Sequence, residues 1–131
     1  MPFMEVMVSY ATPLVKFPVT SLQPGAKVLG TTIAELGNRN RPLDMIVYKK
    51  DGKEFLLMSN NSRGVMKIPT AGFGAAQKIE APVRSETSGV PFEAVTALKG
   101  VEQLDLLDEA RTILLARSDA GALNLDIVNL P

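Results

Sequence analysis

The 131-residue chain has no cysteine and no histidine. Without Cys there is no thiol nucleophile, no zinc thiolate and no disulfide, and the redox compartment cannot be read. Without His the usual general base at neutral pH is missing, and so is the commonest metal and haem ligand. An excess of either charge is also lacking: 14 Lys and Arg balance 14 Asp and Glu. That argues against a general binder of nucleic acid or anionic membranes, which needs a basic surplus. Long hydrophobic runs are absent. Ile113-Leu114-Leu115-Ala116 is among the longest, whereas a membrane helix needs roughly 20 apolar residues. The opening Met1-Pro2-Phe3-Met4-Glu5-Val6-Met7-Val8 has no Lys or Arg ahead of its apolar residues, and Glu5 interrupts them. This is not the pattern of a secretory signal. The expectation is a soluble chain of unknown compartment.

What is present is a rhythm of short strands. Apolar residues make up 46% of the chain, enough to bury the core of one domain spanning 1–131. Strand-like segments fall at 4–8, 14–17, 28–33, 43–48, 54–59, 65–68, 76–79, 101–107, 110–116 and 123–128. Asp51-Gly52 between two apolar runs signals a hairpin, because Gly accepts the positive φ of a tight turn. Leu123-Asn124-Leu125-Asp126-Ile127-Val128 alternates with period two, the pattern of a half-buried strand. Residues 91–98, with Pro91 ahead and Gly100 behind, could form about two helical turns. Thr32-Ile33-Ala34-Glu35 matches a capping box, but Gly37 leaves no room for a helix, so a strand with an irregular end is expected there.

Phe55-Leu56-Leu57-Met58-Ser59-Asn60 aligns with Ile113-Leu114-Leu115-Ala116-Arg117-Ser118 at an offset of about 58 residues. A polar turn ending in Gly and a further strand follow each segment. Repeats of roughly 40–50 residues built of short antiparallel strands are the pattern of propeller blades. The run Asn40-Arg41-Pro42-Leu43-Asp44-Met45-Ile46-Val47-Tyr48, continuing through Leu56-Leu57-Met58-Ser59-Asn60 to Val65-Met66-Lys67-Ile68, resembles a blade of a YVTN- or NHL-type β-propeller. The resemblance covers 36–70 well and 99–130 loosely. It implies an all-β fold of antiparallel, blade-like sheets, a partial propeller of two to three blades. Blade-like repeats would occupy about 38–81 and 99–130, with strands in 4–35 completing a further partial blade. The alternative from the residues alone is a β-sandwich or small barrel.

The resemblance also places two loops, 37–42 and 60–64, on the face where propellers usually bind ligands. The candidate ligand-binding residues are Arg39, Asn40, Arg41, Asp44, Asn60 and Arg63. Arg forks suit carboxylate or phosphate oxygens, and Asn supplies donors and an acceptor. The plainer reading gives Asn and Gly to turn geometry and Arg to covering apolar surface. Asp44 with Asn60 is similar to part of the calcium site of lactonase propellers, but two residues do not make a site. Other motifs fall short. Gly25-Ala26-Lys27-Val28-Leu29-Gly30-Thr31-Thr32 has the spacing of a phosphate loop with Thr31 where Lys is required, and Ser62 has no His to activate it.

These observations favour a non-enzymatic binding or protein-interaction module without catalytic residues, metal or cofactor. Its expected partners are a second copy or another protein at the sheet edges, and a small anionic ligand. The competing expectation is part of a propeller enzyme, either a metal-dependent lactonase-like hydrolase or a dehydrogenase-associated propeller.

Overall fold

The computed structural model describes residues 5–9, 13–37, 40–80 and 87–131, the first segment as backbone only. Among these residues the fold is all-β, with three antiparallel sheets and no closed barrel. In chain order the strands are β1 (Glu5–Ser9), β2 (Pro13–Pro18), β3 (Thr31–Glu35), β4 (Pro42–Lys50), β5 (Lys53–Asn60), β6 (Gly64–Pro69), β7 (Ser88–Gly89), β8 (Glu93–Val95), β9 (Val101–Leu106), β10 (Arg111–Arg117) and β11 (Leu123–Asn129). The chain divides into two compact units, Met1–Arg39 with Gly72–Val90, and Asn40–Ala71 with Pro91–Pro131.

The first unit is one sheet in the order β1-β2-β3-β7. Leu14, Ile33, Ala34 and Leu36 are fully buried. Lys16 sends its ammonium to the carbonyl of Phe73 (2.9 Å). Gly30 packs so closely under Val15 and Phe17 that a Cβ would collide with both side chains.

The second unit holds two meanders. The first runs β4-β5-β6-β8 and the second β9-β10-β11. Asp51 (φ 53°) and Gly52 (φ 75°) both take left-handed backbone, the demand of the two-residue turn whose twist matches its strands. The turn from β9 to β10 is closed by Asp108. Its carboxylate accepts the Ala110 N–H (2.9 Å) and pairs with the Arg111 guanidinium (2.7 Å). The hydrogen bond from Arg111, aided by that from Ala110, holds the Asp108 carboxyl below its ordinary range.

The two meanders pack face to face. Tyr48, Leu57 and Val65 on the first meet Val101, Leu104, Leu114 and Leu130 on the second. The last residues tie across this seam: the Pro131 carbonyl accepts Tyr48 O–H (2.8 Å) and Lys67 Nζ (3.0 Å), and the Leu130 carbonyl accepts Lys50 Nζ (2.9 Å). Lys67 also sits 4.2 Å from the centroid of the Phe55 ring. Burial, assisted by the nearby Glu93 charge, pushes the Tyr48 phenol up to about 12.

Three expectations need correction. Residues 91–98 form no helix. Two isolated turns gain too little to nucleate in water, whereas Glu93, Ala94 and Val95 pair with Lys67, Met66 and Val65 on the free side of β6. The segment 76–79 is not a strand, although the Ile79 N–H reaches the Thr32 carbonyl (2.9 Å). The period-two alternation of β11 is present, but its apolar residues face solvent: Leu123, Leu125 and Ile127 are 47%, 68% and 54% exposed.

This packing yields two predictions. Gly100 (φ 68°) lies against the Arg117 backbone, where a Cβ would strike the carbonyl oxygen, whereas a Cβ on Gly121 (φ 86°) meets nothing. Gly121→Ala should cost only left-handed strain, about 1–2 kcal/mol. Gly100→Ala should cost about 3 kcal/mol or more in urea unfolding, because rigid backbone must also move. For Tyr48, the unfolded phenol ionises near pH 10 and the folded one near 12. Its contribution to stability is therefore whole below pH 10 and is lost as pH rises toward 12. Ultraviolet titration of the native protein should show a phenol ionising near pH 12 that is absent from Tyr48→Phe.

Candidate functional site

The loop that enters β4 and the turn between β5 and β6 meet at one end of the first meander. The pairing is built by asparagines. Asn61 Oδ1 accepts the Arg41 backbone N–H (2.6 Å), and the Asn61 N–H returns to the Arg41 carbonyl (2.9 Å). From the other side, Asn40 Oδ1 accepts the Arg63 backbone N–H (3.1 Å). Each loop thus holds the arginine backbone of the other. Asn40 is buried to 1% exposure, and its amide nitrogen lies 3.8 Å from Met66 Sδ. Asn60 donates to the carbonyls of Met58 (3.2 Å) and Gly64 (3.3 Å), which folds the turn onto its own strand. Its Oδ1 is buried and has no hydrogen-bond partner among the described residues.

Asn suits these places because its short amide imitates a backbone unit, offering donors and an acceptor within reach of the turn. Gly64 (φ 67°) completes the return into β6.

Asp44 serves the sheet stacking. Its Oδ1 accepts the Met45 N–H (2.9 Å), and its Oδ2 accepts the Leu104 N–H on β9 (3.0 Å). One carboxylate therefore joins the two meanders at the β4–β9 seam.

The structure brings Asn40, Arg41, Asn60 and Arg63 together at the loop pair, with Asp44 two residues into β4. Arg39 lies outside the described residues. Asn40 Oδ1, Asn61 Oδ1, the Asn60 amide nitrogen and both Asp44 oxygens bond to backbone groups. Arg41 and Arg63 are exposed, and neither guanidinium has a hydrogen-bond or ion-pair partner among the described residues. Ser62 Oγ lies 3.2 Å from Asn61 Oδ1.

Two open hollows lie elsewhere in this unit. One, of about 530 Å³, is lined by Val47, Tyr48, Lys49, Glu54, Leu106 and Asp108. The other, of about 350 Å³, is lined by Phe55, Lys67, Pro69, Pro91, Phe92 and Glu93. Sequence reasoning missed both, because each joins residues far apart in the chain. Among the described residues no three acidic side chains converge as a metal site, and no helix is long and apolar enough to cross a membrane.

Comparison of the chain with protein-family models, with curated proteins and with solved structures finds no match.

The hydrogen bonds fix what the amides and the carboxylate contribute to folding. Asp44→Ala leaves the Leu104 N–H without its acceptor and should cost about 1–3 kcal/mol. Asp44→Asn keeps one acceptor oxygen and should cost less. Asn40→Ala should fall in the same range as Asp44→Ala. Asn61→Ala should stay under about 1 kcal/mol, because water replaces the lost bond at an exposed N–H. Urea unfolding of the four variants checks the order.

Proposed function

We propose that this chain is a non-enzymatic binding module of propeller-like β architecture, which uses Arg41 and Arg63 to hold an anionic group on its partner. The observation that carries this reading is the reciprocal asparagine latch. It fixes two arginine backbones side by side and leaves both guanidinium groups exposed and unpaired among the described residues. Holding the two arginine backbones in place lowers the ordering cost that a free loop would incur on binding, and guanidinium groups pair bidentately with carboxylate or phosphate.

The propeller-like part is supported by the likeness of the two meanders. Both are antiparallel, β5 and β10 are central, and Leu56 and Leu114 occupy matching positions between their neighbours. The apolar stacking of one antiparallel meander on the other is compatible with such a reading. The competing enzyme reading would put Asp44 to catalytic or metal use, yet both its oxygens already accept backbone N–H groups.

Binding is tested with inorganic phosphate and a tetra-aspartate peptide, followed by chemical-shift titration. The expected result is binding that weakens with added salt and falls at least tenfold in Arg41→Ala/Arg63→Ala, with the melting temperature unchanged. Arg111→Ala, whose guanidinium is already paired with Asp108, should bind as the native protein does. Equal binding by the double variant and the native chain would overturn the proposal, as would no binding of either probe.

A further inference from the structure

A sheet ends in strands whose outer N–H and C=O groups have no ladder partner, and such edges pair with other chains unless they are blunted. The second unit has four of them: β4 and β8 on the first meander, β9 and β11 on the second. Three are blunted. Asp44 caps two at once: its Oδ1 takes the Met45 N–H of β4 (2.9 Å), and its Oδ2 takes the Leu104 N–H of β9 (3.0 Å). A further outward N–H of β9, that of Leu106, bonds to Asp105 Oδ1 (2.8 Å). The ladders of both strands are also bulged, between Pro42 and Asp44 and between Leu115 and Ala116. Strand β8 is only three residues long.

Strand β11 has none of these devices. Its seven residues, Leu123–Asn129, run in unbroken register with β10 and include no Lys, Arg or Pro. The bonds at its two ends set the direction of its backbone groups. The Ser118 N–H reaches the Ala122 carbonyl (2.8 Å), and the Leu130 N–H reaches the Ala110 carbonyl (2.8 Å). Even-numbered residues therefore bond to β10. By the alternation of an antiparallel ladder, the N–H and C=O groups of Leu123, Leu125, Ile127 and Asn129 point to the open edge. None of these groups has a hydrogen-bond partner among the described residues. The side chains of Leu123 through Ile127 are exposed on both faces, so no packed element shelters the edge.

We infer that the open edge of β11 pairs antiparallel with β11 of a second copy, joining two three-stranded meanders into one continuous sheet. What selects a second copy is the match of this strand to itself. With Leu125 opposite Leu125, Leu123 lies opposite Ile127 and Ile127 opposite Leu123. Each of these pairs exchanges both main-chain bonds, which are the source of affinity in strand addition. Their side chains share one face, so the outward apolar row covers itself. On the other face Asn124 falls opposite Asp126, in the closer, non-hydrogen-bonded pairs, where an amide N–H can donate to the carboxylate.

Neighbouring registers lose this match. Setting Leu125 opposite Ile127 brings Asp126 against Asp126, like charges at close range. Setting Ile127 opposite itself brings Leu123 against Pro131, which has no N–H to give. A two-fold axis through Leu125 closes the pair, and each copy then spends the one unblunted edge of its second unit. One strand per copy is a small contact beside a standard interface, so the dimer is reversible and depends on concentration.

This inference rests on the β11 edge and not on the arginine loops. Sedimentation equilibrium and amide exchange over a concentration series test it. The native chain should pass from monomer to dimer and no further. On dimerisation the Leu125 and Ile127 amides should exchange at least about tenfold more slowly. Those of Asn124 and Asp126, already bonded to β10, should change little. Leu125→Pro removes an N–H that faces the edge and leaves the β10 ladder intact; it should be monomeric with unchanged circular dichroism. Should the ring disturb the strand, charge at the same position gives a second reading. Leu125→Lys and Leu125→Glu should each be monomeric alone, and their mixture should form a heterodimer, because position 125 faces position 125. Arg41→Ala/Arg63→Ala should dimerise as the native chain does, which separates this result from the anion-binding test. A native monomer at all concentrations overturns the inference and leaves the edge to a strand of another protein. Open-ended oligomers, dimers of folded Leu125→Pro or of Leu125→Lys alone, or failure of the mixture to pair overturn it as well.

Discussion

The second unit depends on one contact, the burial of the Leu57–Val65 face of the first meander against the Leu104–Leu114 face of the second. Each meander must bury apolar area to offset the ordering entropy of its strands. Stacking supplies that area, and it also fixes where everything else goes. Once β9 lies along β4, Asp44 meets the Leu104 N–H, and the residues after β11 cross back over Tyr48 and Lys67. Shortening Leu114 at the centre would leave a cavity and remove about 2–5 kcal/mol. No surface hydrogen bond in the unit approaches that scale.

The loop end is organised by buried amides on the other face of the first meander, where Asn40 lies beside Met66. Asn40 is effectively excluded from water, so its amide must find partners in the protein. It takes the Arg63 N–H and thereby sets the entry of β4 against the β5–β6 turn. The buried Asn60 makes the same turn bend back onto β5 by donating to the Met58 and Gly64 carbonyls.

Much of the all-β character was legible in the sequence for local reasons. Asp51-Gly52 marks its own turn because only left-handed backbone closes a two-residue hairpin, and Gly37 denies Thr32–Glu35 the length of a helix. Errors arose where distant partners decide the outcome. Glu93, Ala94 and Val95 read locally as helix, but the vacant side of β6 offers them ladder bonds. The alternation of β11 shows that it has an apolar face; only the turn at 118–122 decides where that face points. At the loops, the sequence named residues that the fold brings to one end of the first meander, Asn40, Arg41, Asn60 and Arg63. What the sequence could not show is that Asn40, Asn60 and Asp44 face backbone groups. A side-chain amide reads the same whether it serves a ligand or a turn.

The two surfaces left unsatisfied differ in physical kind. The arginine pair is polar, lies at strand ends and is held by short amide bonds. The anion binding proposed for it would be electrostatic and screened by salt. The β10–β11 face is flat, apolar and fixed by strand register. Burial of such a face would be driven hydrophobically, weakening on cooling and little affected by moderate salt. They are built from different strands of one unit and share no residue. Each can therefore be abolished without disturbing the other. Binding at the one and burial of the other would respond differently to salt and to temperature.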